Sequence, residues 1–181
     1  EGGYKLSPKR IAREYDLNDR LYRIVVQPGS PIIAQKLADL KLPAKYHIYI
    51  LKIKRAAPDG INLLPMTYQE MAGPTSIINV ADELYVQGAL EDVERFIQDF
   101  RLQLELFEEH AQELVTKKIG VAEVLLTPQS RLIGETVSKI GFREKYNLNI
   151  LGINRKGVYL LQDMATQKLR FGDAILVQGT W

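Results

Sequence analysis

The chain repeats part of its own sequence, and this duplication limits the fold more than any other feature. Nine residues recur unchanged after a spacing of 100. They are Pro28, Ser30, Ile33, Lys45, Tyr46, Ile50, Leu51, Ile53 and Arg55, which return as Pro128, Ser130, Ile133, Lys145, Tyr146, Ile150, Leu151, Ile153 and Arg155. The similarity then resumes with a spacing of 91, which relates Asp82 to Asp173. Two copies of this length are not a solenoid, whose units are roughly 20–50 residues long. The duplication predicts two tandem small domains.

The 181 residues fit two domains, each near the smallest size that buries its own core. We predict a linker over residues 1–20, a first domain over 21–89, a connecting helix over 90–118 and a second domain over 119–181. The chain begins with Glu1 rather than methionine, which favours a segment cut from a longer protein. No apolar run approaches the roughly 18 residues of a membrane helix, so a soluble segment is expected.

The composition argues against several kinds of site and partner. The chain has no cysteine, which excludes disulfides and thiolate metal sites and fits a reducing cytoplasm. The formal charge of +2 comes from 24 basic and 22 acidic residues scattered along the chain. Because no basic run stands out, we expect no nucleic-acid partner.

Each copy opens with a strand and a helix. Apolar and β-branched residues from Leu21 to Gln27 predict a buried strand. Ser30 is expected to cap the helix that follows. That helix carries an apolar stripe that recurs in the second copy: Ile33, Leu37 and Leu40, then Ile133, Val137 and Ile140. Pro43 is expected to end the first helix, and Gly141 the second.

A second strand is predicted over Tyr46 to Lys54 and over Tyr146 to Asn154. The apolar alternation slips at Ile150-Leu151, and either a β-bulge or a strand buried on both faces explains such a slip. We expect this strand to run parallel to the first across a right-handed crossover, in a small mixed sheet.

A hairpin and a last strand complete each copy. Arg155-Lys156-Gly157 predicts a tight turn into a strand from Val158 to Gln162. The last strand is predicted over Glu83 to Gln87 and over Ala174 to Gln178. The predicted fold class is α+β, with two tandem β-α-β-β-β domains joined by a long helix. Their cores should contain matching residues: Ile33, Leu37, Leu40, Ile50 and Ile53, and Ile133, Val137, Ile140, Ile150 and Ile153.

Between the copies, Leu90 to Leu114 is predicted to form one long amphipathic helix. Its apolar residues are spaced by three and four: Val93, Ile97, Phe100, Leu104 and Phe107. An acidic first turn and Lys117-Lys118 near the end suit the helix dipole. We expect the stripe to pack on the domains, and a partner helix is the alternative.

The sequence contains little that suggests catalysis. His47 and His110 are far apart, and Asn147 replaces His47 in the second copy, so neither metal ligation nor a shared general base is predicted. The glycine-rich phosphate loops and the nucleophile-elbow motif of hydrolases are absent from the sequence. We therefore predict that the chain is not an enzyme and has no metal or cofactor.

A ligand, if one binds, is expected along the second strand of each copy. Arg55 and Arg155 end these strands, either as solvated or ion-paired cations or as contacts for a phosphate or carboxylate. Asn147 and Asn149 replace His47 and Tyr49, so the second copy offers amides. The predicted ligand-binding residues are Asn147, Asn149, Arg155, Arg55 and His47. The alternative is that these side chains simply point into water.

At these residues the sequence resembles the TrkA-C domain, also called the RCK C-terminal domain. The second copy carries the family pattern throughout, at Pro128, Ser130, Leu132, Gly134, Tyr146, Arg155, Gly172, Asp173 and Gly179. The first copy departs from it at Ala34 and Ala81, where the pattern has glycine. Arg13-Glu14-Tyr15 is similar to the segment ahead of tandem TrkA-C domains in sodium-coupled permeases of the divalent anion symporter type. The resemblance covers about Leu21 to Gly88 and Ile119 to Gly179.

The resemblance implies a regulatory, ligand-sensing module of a membrane ion or anion transporter, at the cytoplasmic face of the cell membrane. It implies a homodimer whose further partner is the membrane-spanning part of the same transporter. The ligand it implies is a small anion or a nucleotide such as cyclic di-AMP, which some relatives bind between paired domains. Two alternatives stay open: a scaffold that only dimerises the transporter, and a regulatory subunit of a potassium channel or transporter.

Overall fold

The computed structural model describes residues 18–56, 67–105, 119–161 and 163–180. These residues form two compact units, which we call the first unit (residues 20–105) and the second unit (residues 119–180). Each unit is an α+β fold with one antiparallel sheet, which confirms the predicted fold class. The predicted linker lies outside the described residues except for the 3-10 turn Asn18–Arg20. No helix in the described part of the chain could span a membrane.

The described residues of the first unit form five strands and three α-helices. In chain order they are β1 (Leu21–Val25), α1 (Leu37–Leu40), α2 (Leu42–Tyr46), β2 (Tyr49–Ala56), β3 (Thr67–Met71), β4 (Glu83–Gln87), α3 (Leu90–Phe100) and β5 (Gln103–Glu105). The strand order in the sheet is β3-β2-β4-β1-β5, and every neighbouring pair is antiparallel.

This topology corrects the predicted mixed sheet. Strands β1 and β2 do run in the same direction, but they are not neighbours, because β4 pairs with both of them and is antiparallel to both. The strand that comes last in each copy therefore enters the sheet between the two earlier ones. Its place could not be deduced from the order of the elements alone.

The helix predicted after the first strand is divided into two short helices. Lys41 adopts a left-handed conformation with φ of 49°, which ends α1 and begins α2. Pro43 was expected to close a helix, but it lies in the first turn of α2, where its missing N–H costs no hydrogen bond. Ser30 does not cap a helix either, since its Oγ accepts from the Ile32 N–H within a turn, at 3.4 Å.

The prediction of one long connecting helix is wrong over residues 101–105. Arg101 turns left-handed, with φ of 51°, and so ends α3. The chain then reverses and pairs as β5 with β1, which gives the backbone of this segment an alternative to helical hydrogen bonds. Leu104 consequently packs from a strand, and the rest of the predicted helix, residues 106–118, lies outside the described residues.

The described residues of the second unit repeat the same ladder with four strands. Its elements are β6 (Ile119–Leu125), α4 (Val137–Ile140), α5 (Phe142–Tyr146), β7 (Leu148–Arg155), β8 (Val158–Leu160) and β9 (Ala174–Thr180), in the sheet order β6-β9-β7-β8. Gly141, with φ of 65°, ends α4 as predicted. The turn at Lys156-Gly157 leads into β8, which confirms the predicted hairpin.

Both units have a bulge at the same place in the long central strand. The register against the neighbouring strand shifts between Ile50 and Lys52, and again between Ile150 and Gly152. Leu51 and Leu151 are the extra residues, and both are fully buried. The slip in apolar alternation therefore has both predicted causes, because the bulged strand is buried on both faces.

The core of the first unit lies between the sheet and the helices. α3 contributes Val93 and Phe96, which are completely buried against strand residues such as Ile24 and Val86. The residues predicted for the two cores are buried or half-buried in every case. Those that are only half-buried are Ile33, Ile133 and Val137.

Candidate functional site

The predicted ligand-binding residues of the second unit do not converge. Asn147 follows α5, is exposed, and has a left-handed backbone with φ of 53°. Asn149 is the second residue of β7 and Arg155 is its last. A strand rises about 3.3 Å per residue, so roughly 26 Å of chain separates Asn147 from Arg155. Arg155 therefore lies at the opposite end of β7 from Asn147 and Asn149.

Arg155 forms an ion pair within its own unit. Its Nε and Nη2 atoms donate to the two carboxylate oxygens of Asp173 at 2.9 and 2.8 Å, and Nη2 also donates to the Lys168 carbonyl at 2.8 Å. The hydrogen bonds that Arg155 donates to Asp173 raise the pKa of Arg155. Burial acts to raise the pKa of Asp173, but the hydrogen bonds from Arg155 and from the Arg170 N–H outweigh it and lower that pKa. Contact of Arg155 with an external anion stays a prediction.

Arg55 occupies the equivalent place in the first unit, with looser contacts. Its Nε lies 3.1 Å from Asp82, its Nη1 lies 3.3 Å from Glu70, and its Nη2 donates to the Ile77 carbonyl at 2.6 Å. Here burial raises the pKa of Asp82. This effect is larger than the lowering caused by the Asn79 N–H and by Arg55. The equivalent arginines therefore hold aspartates whose pKa values move in opposite directions.

Asp82 and Asp173 also stabilise the turns in front of β4 and β9. Each accepts a hydrogen bond at 2.8 Å from the backbone N–H three residues earlier, that of Asn79 or Arg170. This is the side-chain-to-backbone contact expected of a turn-forming aspartate. The residues that the duplication preserves here thus stabilise the fold.

Asn149 belongs to a buried polar network that the sequence did not reveal. Its Oδ1 accepts from Arg143 Nε at 2.7 Å and from Arg143 Nη2, and its Nδ2 donates to Gln178 Oε1 at 2.9 Å. The Asn147 N–H donates to the Arg143 carbonyl at 3.1 Å, so these residues share one corner between α5 and β7. We call Arg143, Asn147, Asn149 and Gln178 the α5–β7 corner.

The first unit lacks this corner because Pro43 and Tyr49 stand where the second has Arg143 and Asn149. That charge difference between the copies is the sequence feature that could have identified Arg143.

His47 ends α2 and is exposed, with its Nδ1 3.7 Å from Asp92 Oδ1. No group of three or more histidine, aspartate or glutamate residues with the spacing of a metal site occurs among the described residues.

The chain is similar to a known domain family and to two proteins named as transporters. The TrkA-C domain matches residues 21–101 and 121–181. "Uncharacterized transporter YfbS" of Escherichia coli (strain K12) is 34% identical over 188 residues, which cover 100% of this chain and 29% of that protein. "Uncharacterized transporter sll0640" of Synechocystis sp. is 29% identical, over 96% of this chain and 28% of that protein. The chain thus spans less than a third of the length of these relatives.

Two solved structures have partial similarity. The GsuK RCK domain is 8% identical with a TM-score of 0.39, over 91% of this chain and 62% of that one. BusR of S. agalactiae, in complex with its busAB-promotor DNA, is 19% identical with a TM-score of 0.38, over 46% of this chain and 37% of that one.

Proposed function

This chain belongs to the TrkA-C domain family, and from that membership we propose that it is the cytoplasmic regulatory module of a membrane ion or anion transporter. The observation that carries the proposal is the coverage of the relatives. Nearly the whole chain aligns with two proteins that bear the name transporter, yet it accounts for 29% and 28% of their lengths. The remainder of such a protein has room for a membrane-spanning part. The proposed role involves no catalysis.

The module would regulate the transporter by binding a small anion or a nucleotide at the α5–β7 corner. The guanidinium of Arg143 can recognise a phosphate, and the exposed amide of Asn147 beside it can recognise the edge of a base. Asn149 is buried and accepts from Arg143 Nε at 2.7 Å, so it orients the guanidinium before any ligand arrives. Pro43 and Tyr49 make the same place in the first unit unsuitable for an anion. We take cyclic di-AMP as the first compound to test.

Calorimetric titration of the whole chain with cyclic di-AMP, adenine mononucleotides and inorganic anions tests this site. Arg143→Gln should weaken the binding of an anionic ligand by about 10- to 150-fold, as expected for one charge-assisted hydrogen bond. Lys145→Gln, an exposed change in the same helix, is the matched control and should leave affinity unchanged. Equal affinity in both variants would place the ligand elsewhere.

A purely structural scaffold is the second candidate function. One observation favours it: Arg55 and Arg155, the preserved cations of the two copies, both bind aspartates of their own units. We propose a homodimer in either case, and sedimentation of the chain over a range of concentrations measures it. A dimer that binds none of the titrated compounds would favour the scaffold, whereas a monomer would contradict both versions.

A further inference from the structure

One end of the second unit combines exposed apolar side chains with exposed cations. Leu125, Val158 and Phe171 are 64%, 61% and 65% exposed, and large apolar side chains that are exposed together mark interaction sites. Three basic residues near them are also exposed. We call these six residues the second-unit tip: Leu125, Val158, Phe171, Lys156, Lys168 and Arg170.

Backbone pairing and the Arg155–Asp173 ion pair bring the tip together. β6 ends at Leu125, opposite the start of β9 at Ala174. Val158 begins β8 directly opposite Arg155. Arg155 in turn holds Asp173 and the Lys168 carbonyl, so the loop of residues 168–172 lies beside the same strand end. All six residues therefore lie at one end of the sheet.

The acidic side chains around the tip are largely neutralised or set back. Asp173 is 1% exposed and bound by Arg155. Glu135, whose backbone carbonyl accepts from the Leu169 N–H, forms an ion pair with Lys139 at 2.7 Å. Glu123 is exposed but lies two residues before the end of β6. The exposed charge at the tip itself is positive.

The first unit shows that this charge is not required by the fold. The spacing of 91 relates Lys168, Arg170 and Phe171 to Ile77, Asn79 and Val80. Ile77 and Val80 are exposed as well, at 43% and 50%, but no cation stands among them. The same loop, on the same ladder, is therefore apolar in one unit and both apolar and cationic in the other.

We infer that the second-unit tip docks on an anionic lipid surface. Exposed apolar side chains partition into the boundary between headgroups and acyl chains, and each nearby lysine or arginine adds attraction to anionic headgroups. Phe171 and Leu125 would supply the apolar part, with Lys156, Lys168 and Arg170 above them at headgroup level. The inference rests on the proposed function only in placing the chain beside a membrane.

Flotation of the whole chain with vesicles tests the contact. One set of vesicles contains phosphatidylcholine alone, and the other contains equal parts of phosphatidylcholine and phosphatidylglycerol. The chain should bind the second set and dissociate as salt is raised. The double variant K168Q/R170Q should bind about 30-fold more weakly, since each cation near an anionic surface contributes about fivefold. Phe171→Ser should weaken binding by about tenfold or more, because it removes an apolar anchor.

Val80→Ser, the equivalent change in the first unit, is the matched control and should leave vesicle binding unchanged. The altered side chains are exposed, so thermal unfolding should be the same in all variants. Three results would overturn the inference: no binding to the anionic vesicles, undiminished binding of K168Q/R170Q, or equal losses in Phe171→Ser and Val80→Ser. No nucleotide is present in these measurements, so their outcome and that of the ligand titration are independent.

Discussion

The two units have the same arrangement of strands, but equivalent side chains are buried to different extents. Ile24 is completely buried in the first unit, whereas its counterpart Val124 is 45% exposed. Tyr46 is 9% exposed and Tyr146, the identical residue at the equivalent position, is 53% exposed. Hydrophobic pattern and position are the same in both copies. The difference shows that burial here is decided by an element outside the duplicated ladder.

That element is α3 with the strand that follows it. Phe96 and Phe100 place their rings 5.6 and 6.0 Å from the ring of Tyr46, whose hydroxyl donates to Asp99 at 2.7 Å. Ser30 Oγ donates to the Phe100 carbonyl at the end of the same helix. Among the described residues of the second unit, no helix follows β9 in the way that α3 follows β4. Tyr146 and Ser130 are thus identical to Tyr46 and Ser30 but lack the contacts that those residues make with α3.

The largest expected effect comes from truncating the matching core residues Ile50 and Ile150. Ile50→Ala and Ile150→Ala should each cost about 2–5 kcal/mol, since both side chains are buried on the long bulged strand. We expect the greater loss for Ile50, because α3 closes the core around it and hinders collapse into the cavity. Amide hydrogen exchange reports on each unit separately and measures both free energies of opening. A greater loss for Ile150 would contradict the role given to α3.

The sequence predicted well what depends on local pattern. The existence of the strands, the hairpin at Lys156-Gly157 and the bulge all follow from alternation and turn residues within a few positions. The predicted start of the second strand was wrong, because Tyr46 and Tyr146 are the last residues of α2 and α5. The reversal after Phe100 did not, because the apolar spacing through Leu104 suits both a helix and the start of a buried strand. Only pairing with β1 decides between them, and that contact is distant in sequence.

The candidate site was harder to predict for the same reason. The identity of Arg55 and Arg155 marked an important position, but the aspartate partner of each lies in the turn directly before the strand that enters the sheet last. Asn149 was correctly singled out as different from Tyr49, and yet its burial against Gln178 depends on the register of β7 and β9. Sequence identified the residues that differ between the copies, and the sheet determined their contacts.

A middle-sized effect is expected at the two aspartates. Asp173→Asn should cost about 2–3 kcal/mol, because it leaves the guanidinium of Arg155 without its charged partner. Asp82→Asn should cost less than about 1 kcal/mol, since burial already disfavours the charged carboxylate and Arg55 keeps its contact with Glu70. Chemical denaturation of both variants at neutral pH measures the difference. Equal losses would remove the electrostatic distinction between the units.

The pH dependence of the two units should differ in sign. The pKa of Asp82 is raised above the ordinary 3.8, so its contribution to stability is present in acid and lost as pH rises through the folded pKa. The pKa of Asp173 is lowered below 3.8, so its contribution is present above that value and lost as pH falls through the folded pKa. Hydrogen exchange on mild acidification should show the first unit gaining protection, and Asp82→Asn should abolish that gain.

The smallest effect concerns a turn that both units build with different residues. Ala34 and Gly134 have left-handed backbones, with φ of 66° and 85°, and each N–H donates at 2.8 Å to a carbonyl before the last strand. A left-handed conformation costs alanine about 1–2 kcal/mol that glycine avoids. Glycine in turn loses about 0.4–1 kcal/mol through the greater freedom of the unfolded chain. The balance favours glycine by about 0.5–1 kcal/mol.

Exchanging the two residues tests this balance in both directions. Ala34→Gly should stabilise the first unit, and Gly134→Ala should destabilise the second by a similar amount, because an added Cβ at Gly134 would meet no heavy atom within 4 Å. The added Cβ would therefore change the free energy of unfolding through backbone strain alone.

Ala81 and Gly172, with φ of 64° and 80°, provide a second pair with the same expectation. Thermal unfolding of the four variants measures the shifts. If both alanine-to-glycine changes destabilised the chain, packing around the alanine methyls would outweigh the backbone, and the two turns would not be equivalent.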